Sequence, residues 1–320
     1  MGHGVKLALF AEANGTIGTG HVKEVLAIAE CAGSLGIEVA LLMPAEVPAS
    51  LLPAWAAPIV RRIPGIAPAQ LESAGKELAR EGIQVALTSF LKISESQARA
   101  LRNSGLKLIY MDDLLSRGPE YLPLEEIYRS LHDNPRAVEG PVRSVIVSMG
   151  GADRTGATFR VIEALAGWNL KVVRHIVLGA LFERESELRA RLSSLPGRWE
   201  IHRNPGSLAH WMREADVGIC AGGNTLSEMA CVGIPAAVLY EDPHEQEQGS
   251  FFEREGFGAC LGPGIRFEPG SLIQLLERWD DPVLRRAQAD RGRQLVDGRG
   301  AQRICQRVWD AVSIDSTLPA

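Results

Sequence analysis

Short apolar runs of strand length alternate along this chain with stretches in which apolar residues recur every three or four positions. Val5 to Ala11 is the first run and Ile37 to Met43 the second. Between them Val22, Val25, Leu26, Ile28 and Ala29 stand at helical spacing within Val22 to Gly33, and Gly36 is placed to end that helix. Strand, loop, helix, strand is the signature of a parallel βαβ unit. Leu51 to Gln70, rich in Pro and Ala, reads as loop with short helix. Leu71 to Arg80 and Ser94 to Arg102 read as helices. Val85 to Phe90 and Leu106 to Met111 read as strands, the last closing on Asp112-Asp113.

Asn134-Pro135 and Gly140-Pro141 are turn dipeptides, and after them the pattern restarts. Ser144 to Ser148, Val172 to Leu178, Val217 to Cys220 and Ala236 to Tyr240 are strand-like; Ala157 to Leu165, Leu208 to Glu214 and Thr225 to Val232 are helix-like. The remainder reads as mainly helical: Glu245 to Arg254, Ser271 to Trp279, Pro282 to Leu295 and Ala301 to Val312. The expected organisation is therefore a domain over residues 1–138, a second over 139–312, and a loose tail over 313–320. The fold class is α/β, with two βαβ domains whose parallel sheets face across a cleft. Ligands of such sheets bind outside the carboxyl ends of the strands, which places the site where the Gly-rich loops of both domains meet.

Composition sharpens this picture mainly by exclusion. The 320 residues are 46% hydrophobic and 23% charged, as in an ordinary globular protein, and suffice for about two domains. A formal net charge of −5 argues against nucleic acid or an anionic membrane as partner. An anionic ligand would instead be held by helix N-termini and backbone N–H groups. No apolar run approaches the ~20 residues of a membrane span. The N-terminus lacks the pattern of a secretory signal. Five cysteines without metal-type spacing point to a reducing, cytoplasmic compartment.

Three Gly-rich strand-to-helix loops carry the chemistry. The first is Ile17-Gly18-Thr19-Gly20-His21. Glycines allow close backbone approach, the helix N-terminus favours an anion, and His21 at that positive end is expected to have a lowered pKa and to serve as a neutral general base. An ordinary turn with a capping His explains the same residues, and Glu24 stands where a dinucleotide fingerprint would have its third Gly. The second is Ser148-Met149-Gly150-Gly151-Ala152-Asp153, a phosphate cradle or a plain turn. The third is Gly222-Gly223-Asn224-Thr225, whose N–H groups and side chains suit a diphosphate, with Glu228 one turn on for ribose hydroxyls; a capping Asn224 and a surface Glu228 are the bland alternatives. His244, Glu245 and Gln246 follow a strand end and are either cleft residues or a solvated helix start. Asp112-Asp113 reads as capping or supporting. His3, His132, His175, His202 and His210 have no motif context, and no His, Asp or Glu cluster has metal-ligand spacing, so neither metal nor cofactor is expected.

The first loop, Ser148 to Asp153, Ala221 to Thr225 with Glu228, and Val296-Asp297-Gly298-Arg299-Gly300-Ala301, taken in order, resemble one family. It comprises the UDP-sugar hydrolases of pseudaminic acid biosynthesis and their spore-coat polysaccharide relatives. The resemblance implies a GT-B fold of two Rossmann-like domains, His21 activating water against an anomeric carbon, Gly222, Gly223, Asn224 and Thr225 holding the diphosphate, Glu228 near the ribose, and Gly150 and Gly151 opening the nucleotide-binding domain. UDP is the nucleotide it implies. The chain departs from the family at Glu24, where an Arg is usual, at Phe10-Ala11-Glu12, where Arg-x-Asp is usual, and at His244-Glu245-Gln246, which lacks the family's catalytic Asn. The nucleotide half is kept and the sugar half is changed. Three readings follow: a nucleotide-sugar hydrolase, a glycosyltransferase with a hydroxyl or amine acceptor, and a non-catalytic nucleotide-sugar binder. A nicotinamide dehydrogenase lacks its fingerprint here.

Overall fold

A computed structural model of the chain describes residues 4–13, 19–90 and 92–313. It divides into two compact units, Met1–Glu126 with Gly298–Ala320, and Ile127–Asp297. The first unit runs β1 (Lys6–Ala11), α1 (Gly20–Ser34), β2 (Glu38–Pro44), β3 (Val60–Ile63), α2 (Pro68–Arg80), β4 (Val85–Ser89), α3 (Glu95–Asn103), β5 (Lys107–Tyr110) and α4 (Met111–Leu115). Its five strands are parallel in the order β3-β2-β1-β4-β5. Alternation along β1 feeds both faces of the sheet. Leu7 and Leu9 join one core with Val22, Val25 and Ile28 of α1, while Ala8 and Phe10 join another with Leu71 and Leu78 of α2 and Leu101 of α3. Each fully buried Leu, Ile, Val or Phe side chain among them contributes roughly 1.5–3 kcal/mol.

The second unit opens with α5 (Glu126–Asp133). It continues through β6 (Ser144–Ser148), α6 (Ala157–Ala166), β7 (Val173–Leu178), α7 (Glu185–Ser193), β8 (Arg198–Arg203), α8 (Ala209–Glu214), β9 (Val217–Cys220), α9 (Asn224–Val232), β10 (Ala236–Tyr240), α10 (Pro243–Arg254), β11 (Ala259–Pro263), α11 (Pro269–Arg278) and α12 (Pro282–Leu295). Six parallel strands lie in the order β11-β10-β9-β6-β7-β8. Arg174 of β7 is fully buried; its guanidinium donates to the carbonyls of Val172 (2.7 Å), Leu165 (3.1 Å), Asn169 (3.1 Å) and Trp168, closing the C-terminal end of α6.

Both orders are those of the doubly wound dinucleotide-binding fold, two Rossmann-like domains in one chain. In each sheet the order reverses beside the first strand, between β1 and β4 and between β6 and β9. The crevice at that reversal is where such sheets take ligands.

The domain limits differ from the expected ones. The chain leaves the first unit at Glu126 rather than at 138, and it returns at Gly298, so that α13 (Gly300–Ser313) belongs to the first unit and not to the second. The reason is apolar: Ile304, Cys305 and Val308 of α13 complete the core against α1, with Cys305 Sγ 4.0 Å from the carbonyl of Ile28. The return needs close backbone approach, since a Cβ on Gly300 would lie 2.0 Å from the carbonyl oxygen of Leu122. Residues 314–320 of the expected tail lie outside the described residues. Among the described residues no helix is long and apolar enough to cross a membrane, and none of the five cysteines is in a disulfide.

Candidate functional site

In the first unit the pairing of β1 with β4 sets Ala11 opposite Ser89, and α1 begins beside these strand ends. His21 is the second residue of that helix, and its Nδ1 lies 3.0 Å from Ser89 Oγ. Ser89 Oγ in turn donates to Glu24 Oε2 at 2.6 Å. A hydroxyl that gives its proton to a carboxylate accepts from its other neighbour, so the ring carries a hydrogen on Nδ1 and its Nε2 holds a lone pair. Nε2 has no hydrogen-bond partner among the described residues. Ser89 is wholly buried and Glu24 nearly so, which fixes the chain of bonds. Gly18 and Ile17 lie outside the described residues; Thr19 and Gly20 lead directly into α1.

The expected lowering of the His21 pKa is corrected by this arrangement. Burial does oppose the charged ring, but the hydrogen-bonding and charge of Glu24, with the charges of Glu12 and Asp112, outweigh it and raise the pKa. At 3.7 Å from Nδ1, the Glu24 carboxylate acts on the ring through its charge and through Ser89. The helix end by itself is a weaker influence than a buried carboxylate on the next turn. The family's Arg at that position would act in the opposite sense.

In the second unit the two Gly-rich loops differ in how their helix ends are satisfied. After Gly150 and Gly151, the Asp153 carboxylate accepts from the N–H groups of Ala157 (2.7 Å) and Thr158 (3.0 Å), so the start of α6 already holds an anion. The start of α9 has no side-chain cap: Gly223 precedes it, and Asn224 is its first residue rather than its cap. One turn further Glu228 is buried, and its Oε2 has no hydrogen-bond partner among the described residues. A buried carboxylate oxygen left without a donor costs about 1–3 kcal/mol, and a ligand hydroxyl would supply the donor.

Glu245 lies beside this loop. A Cβ on Gly222 would fall 2.2 Å from the Glu245 carbonyl oxygen, so Gly222 is required by the close approach of α10; a Cβ on Gly223 would stand 3.7 Å from Glu245 Oε1. Asp242 caps α10 by accepting from the Glu245 N–H at 3.0 Å, and Glu245 Oε2 accepts from the Glu241 N–H at 2.7 Å. Burial, reinforced by the charges of Asp242 and Glu241, pushes the Glu245 carboxyl up to about 7. Arg154 donates to Glu241 (2.9 Å) and Asp242 (3.0 Å), and Glu241 also accepts from Thr155 N–H at 3.0 Å. His244 and Gln246 are exposed in the first turn of α10.

The structure thus brings His21 together with Ser89 and Glu24, and Gly222, Gly223, Asn224 and Thr225 together with Glu228 and Glu245. Ser89, Arg154 and Glu241 are absent from the sequence-level candidates. Ser89 is the residue at which an apolar strand ends, and only the adjacency of β4 to β1 shows that its hydroxyl meets His21.

Comparison with known proteins agrees with this architecture. No protein-family model matches the chain. It is 27% identical over 200 residues to the spore coat polysaccharide biosynthesis protein SpsG of Bacillus subtilis, covering 60% of this chain and 57% of SpsG. It is 30% identical over 134 residues to an uncharacterized protein of Methanocaldococcus jannaschii, covering 41% of this chain and 28% of that one. The chain therefore spans little more than half of one of these relatives and under a third of the other. Among solved structures, MurG of Acinetobacter baumannii superposes with a TM-score of 0.68 at 18% identity, over 96% of this chain and 100% of MurG. A glycosyltransferase of Rickettsia africae gives 0.62 at 10% identity, over 97% and 99% of the two chains. The glycosyltransferase VinC, in complex with dTDP, gives 0.59 at 10% identity, over 95% and 100%. The resemblance to the spore-coat polysaccharide relatives holds in diverged form, and the fold is GT-B.

Proposed function

We propose, from a GT-B chain related to SpsG, that this protein is an enzyme acting at the anomeric carbon of a nucleotide-sugar. His21 is the general base, and the α9 loop receives the nucleotide diphosphate. Water attacks the anomeric carbon while Nε2 of His21 takes its proton. The bond from that carbon to the diphosphate oxygen breaks, and its electron pair leaves with the diphosphate. The imidazolium that forms keeps its Nδ1–H on Ser89 Oγ, and the Glu24 carboxylate behind Ser89 offsets the new positive charge. The leaving diphosphate meets the start of α9 at Gly223, Asn224 and Thr225, where the N-cap position carries no capping side chain, and a ribose hydroxyl donates to Oε2 of Glu228, which has no hydrogen-bond partner among the described residues. UDP is the nucleotide the resemblance favours.

The observation that carries this reading is the Glu24–Ser89–His21 chain, because it leaves a basic nitrogen on a ring whose charged form is stabilised in place. His21→Ala is expected to lower turnover by about 10²–10⁴-fold while the melting shift on adding nucleoside diphosphate stays at the wild-type value. An unaltered rate would remove His21 from the chemistry. The same base serves an acceptor hydroxyl as well as water, and the fold is shared with glycosyltransferases. Product analysis with and without candidate acceptors decides between hydrolysis and transfer.

A further inference from the structure

Strand pairing in the second unit assembles a side-chain cluster that lies outside the proposed chemistry. β7 and β8 are parallel, with His175 opposite Glu200 and Val177 opposite His202. Side chains two apart on a strand share a face, so Glu200 and His202 stand on the same face as His175. There the Nδ1 of His175 is 3.1 Å from Nε2 of His202 and 3.4 Å from Oε2 of Glu200, and the three donor atoms all lie within 4.8 Å of one another. Each residue has an ordinary place in a sheet, but their juxtaposition is not ordinary packing. Two imidazole nitrogens face each other across a distance at which at most one can carry a hydrogen, and a carboxylate oxygen closes the third side.

We propose that His175, Glu200 and His202 form a binding site for a divalent transition-metal ion of the Zn²⁺ class, ligated by Nδ1 of His175, Nε2 of His202 and Oε2 of Glu200, with a fourth position for water. Bonds of about 2.0–2.2 Å in a tetrahedral site require donors about 3.3–3.6 Å apart, close to both separations found here. Two imidazoles and one carboxylate are the nitrogen and oxygen donors that borderline ions take, in contrast to the all-oxygen sets of Ca²⁺ or Mg²⁺. The ligands are already held. Glu200 Oε1 accepts from Arg198 at 3.0 Å, which turns Oε2 toward His175. The His202 ring lies 4.3 Å from Trp211 of α8 and 5.3 Å from the His175 ring. Such outer contacts are the devices that orient metal ligands. The site would clip the edge strand β8 to β7, two strands along from the β6–β9 crevice.

The test is titration of the metal-free full chain with Zn²⁺ against a chromogenic chelator, with Co²⁺ as a second probe whose visible bands report four-coordinate ligation. Expected are one Zn²⁺ per chain, a four-coordinate Co²⁺ spectrum, and affinity lowered roughly tenfold or more in both His202→Ala and Glu200→Gln. Glu200 and His202 are only half-buried, and melting without metal verifies that each variant is folded. Should His202→Ala fail to fold, Glu200→Gln carries the comparison. The proposal is overturned if the wild-type chain takes up no stoichiometric Zn²⁺, or if both folded variants bind it as tightly as the wild type.

Discussion

Glu24 is the residue whose chemistry most distinguishes this chain from the family it resembles. An Arg at this position would repel an imidazolium on the same helix end, whereas Glu24 holds one in place through Ser89. A base with a raised pKa is protonated over more of the acid range, so activity should climb as pH rises through the His21 pKa, which lies above 6.5. Glu24→Gln removes the charge and keeps the shape. The acid limb of the pH–rate profile should then move to lower pH; a limb that stays in place would show that Glu24 does not set the basicity of His21. Glu245 makes a separate prediction. Its carboxyl, raised to about 7, is neutral below that pH and negative above it, beside the loop proposed for the diphosphate. Nucleoside diphosphate affinity should fall as pH rises through about 7, and Glu245→Gln should flatten that dependence. Isothermal titration at pH 6 and pH 8 on both proteins measures it.

Among the elements, β7 carries an unusual stabilising device in Arg174, whose guanidinium gathers four carbonyls in the interior and stacks 4.9 Å from the ring of Trp199. Arg174→Met should cost about 3 kcal/mol, because it strands buried acceptors, and chemical denaturation reads the loss directly. The elements also show what was legible from sequence. Interior strands such as β1, β4, β6 and β9 are buried along nearly their whole length, and each was visible as an apolar run. The strands missed are β3, β8 and β11, all at sheet edges. An edge strand is covered less completely, so Val60–Ile63 carries two exposed arginines and Arg198–Arg203 alternates charge with apolar residues. Neither has an apolar run to find. The same limit hid Ser89 and the His175–Glu200–His202 cluster: residues 65 or more positions apart, or on two neighbouring strands, meet only through strand order. His21, Gly222 to Thr225 and Glu228 were legible because one loop carries each set. The raised pKa of His21 is not legible in its own loop, because the helix end is local whereas the carboxylate contact depends on Ser89 from another strand.

At the scale of the whole molecule, two parallel sheets of dinucleotide-fold order each present a crevice at the reversal of strand order. With a net charge of −5 the chain does not attract an anion globally, so recognition of a diphosphate must come from local groups. The start of α9, whose N-cap position carries no capping side chain, and the Glu228 oxygen that has no partner among the described residues are the groups proposed for it, in contrast to the start of α6, where Asp153 already fills the role. The proposed function stands or falls with binding of a nucleoside diphosphate there. The most direct test is thermal unfolding of the full chain with millimolar UDP, GDP, CDP, dTDP or NAD. A ligand at about a hundred times its dissociation constant adds roughly 2.7 kcal/mol, which raises the Tm by about 5–10 °C for units of this size. Such a shift is expected with at least one nucleoside diphosphate, UDP first, and none with NAD. A Tm unmoved by every nucleoside diphosphate would contradict it and leave the Gly-rich loops as turns of the fold.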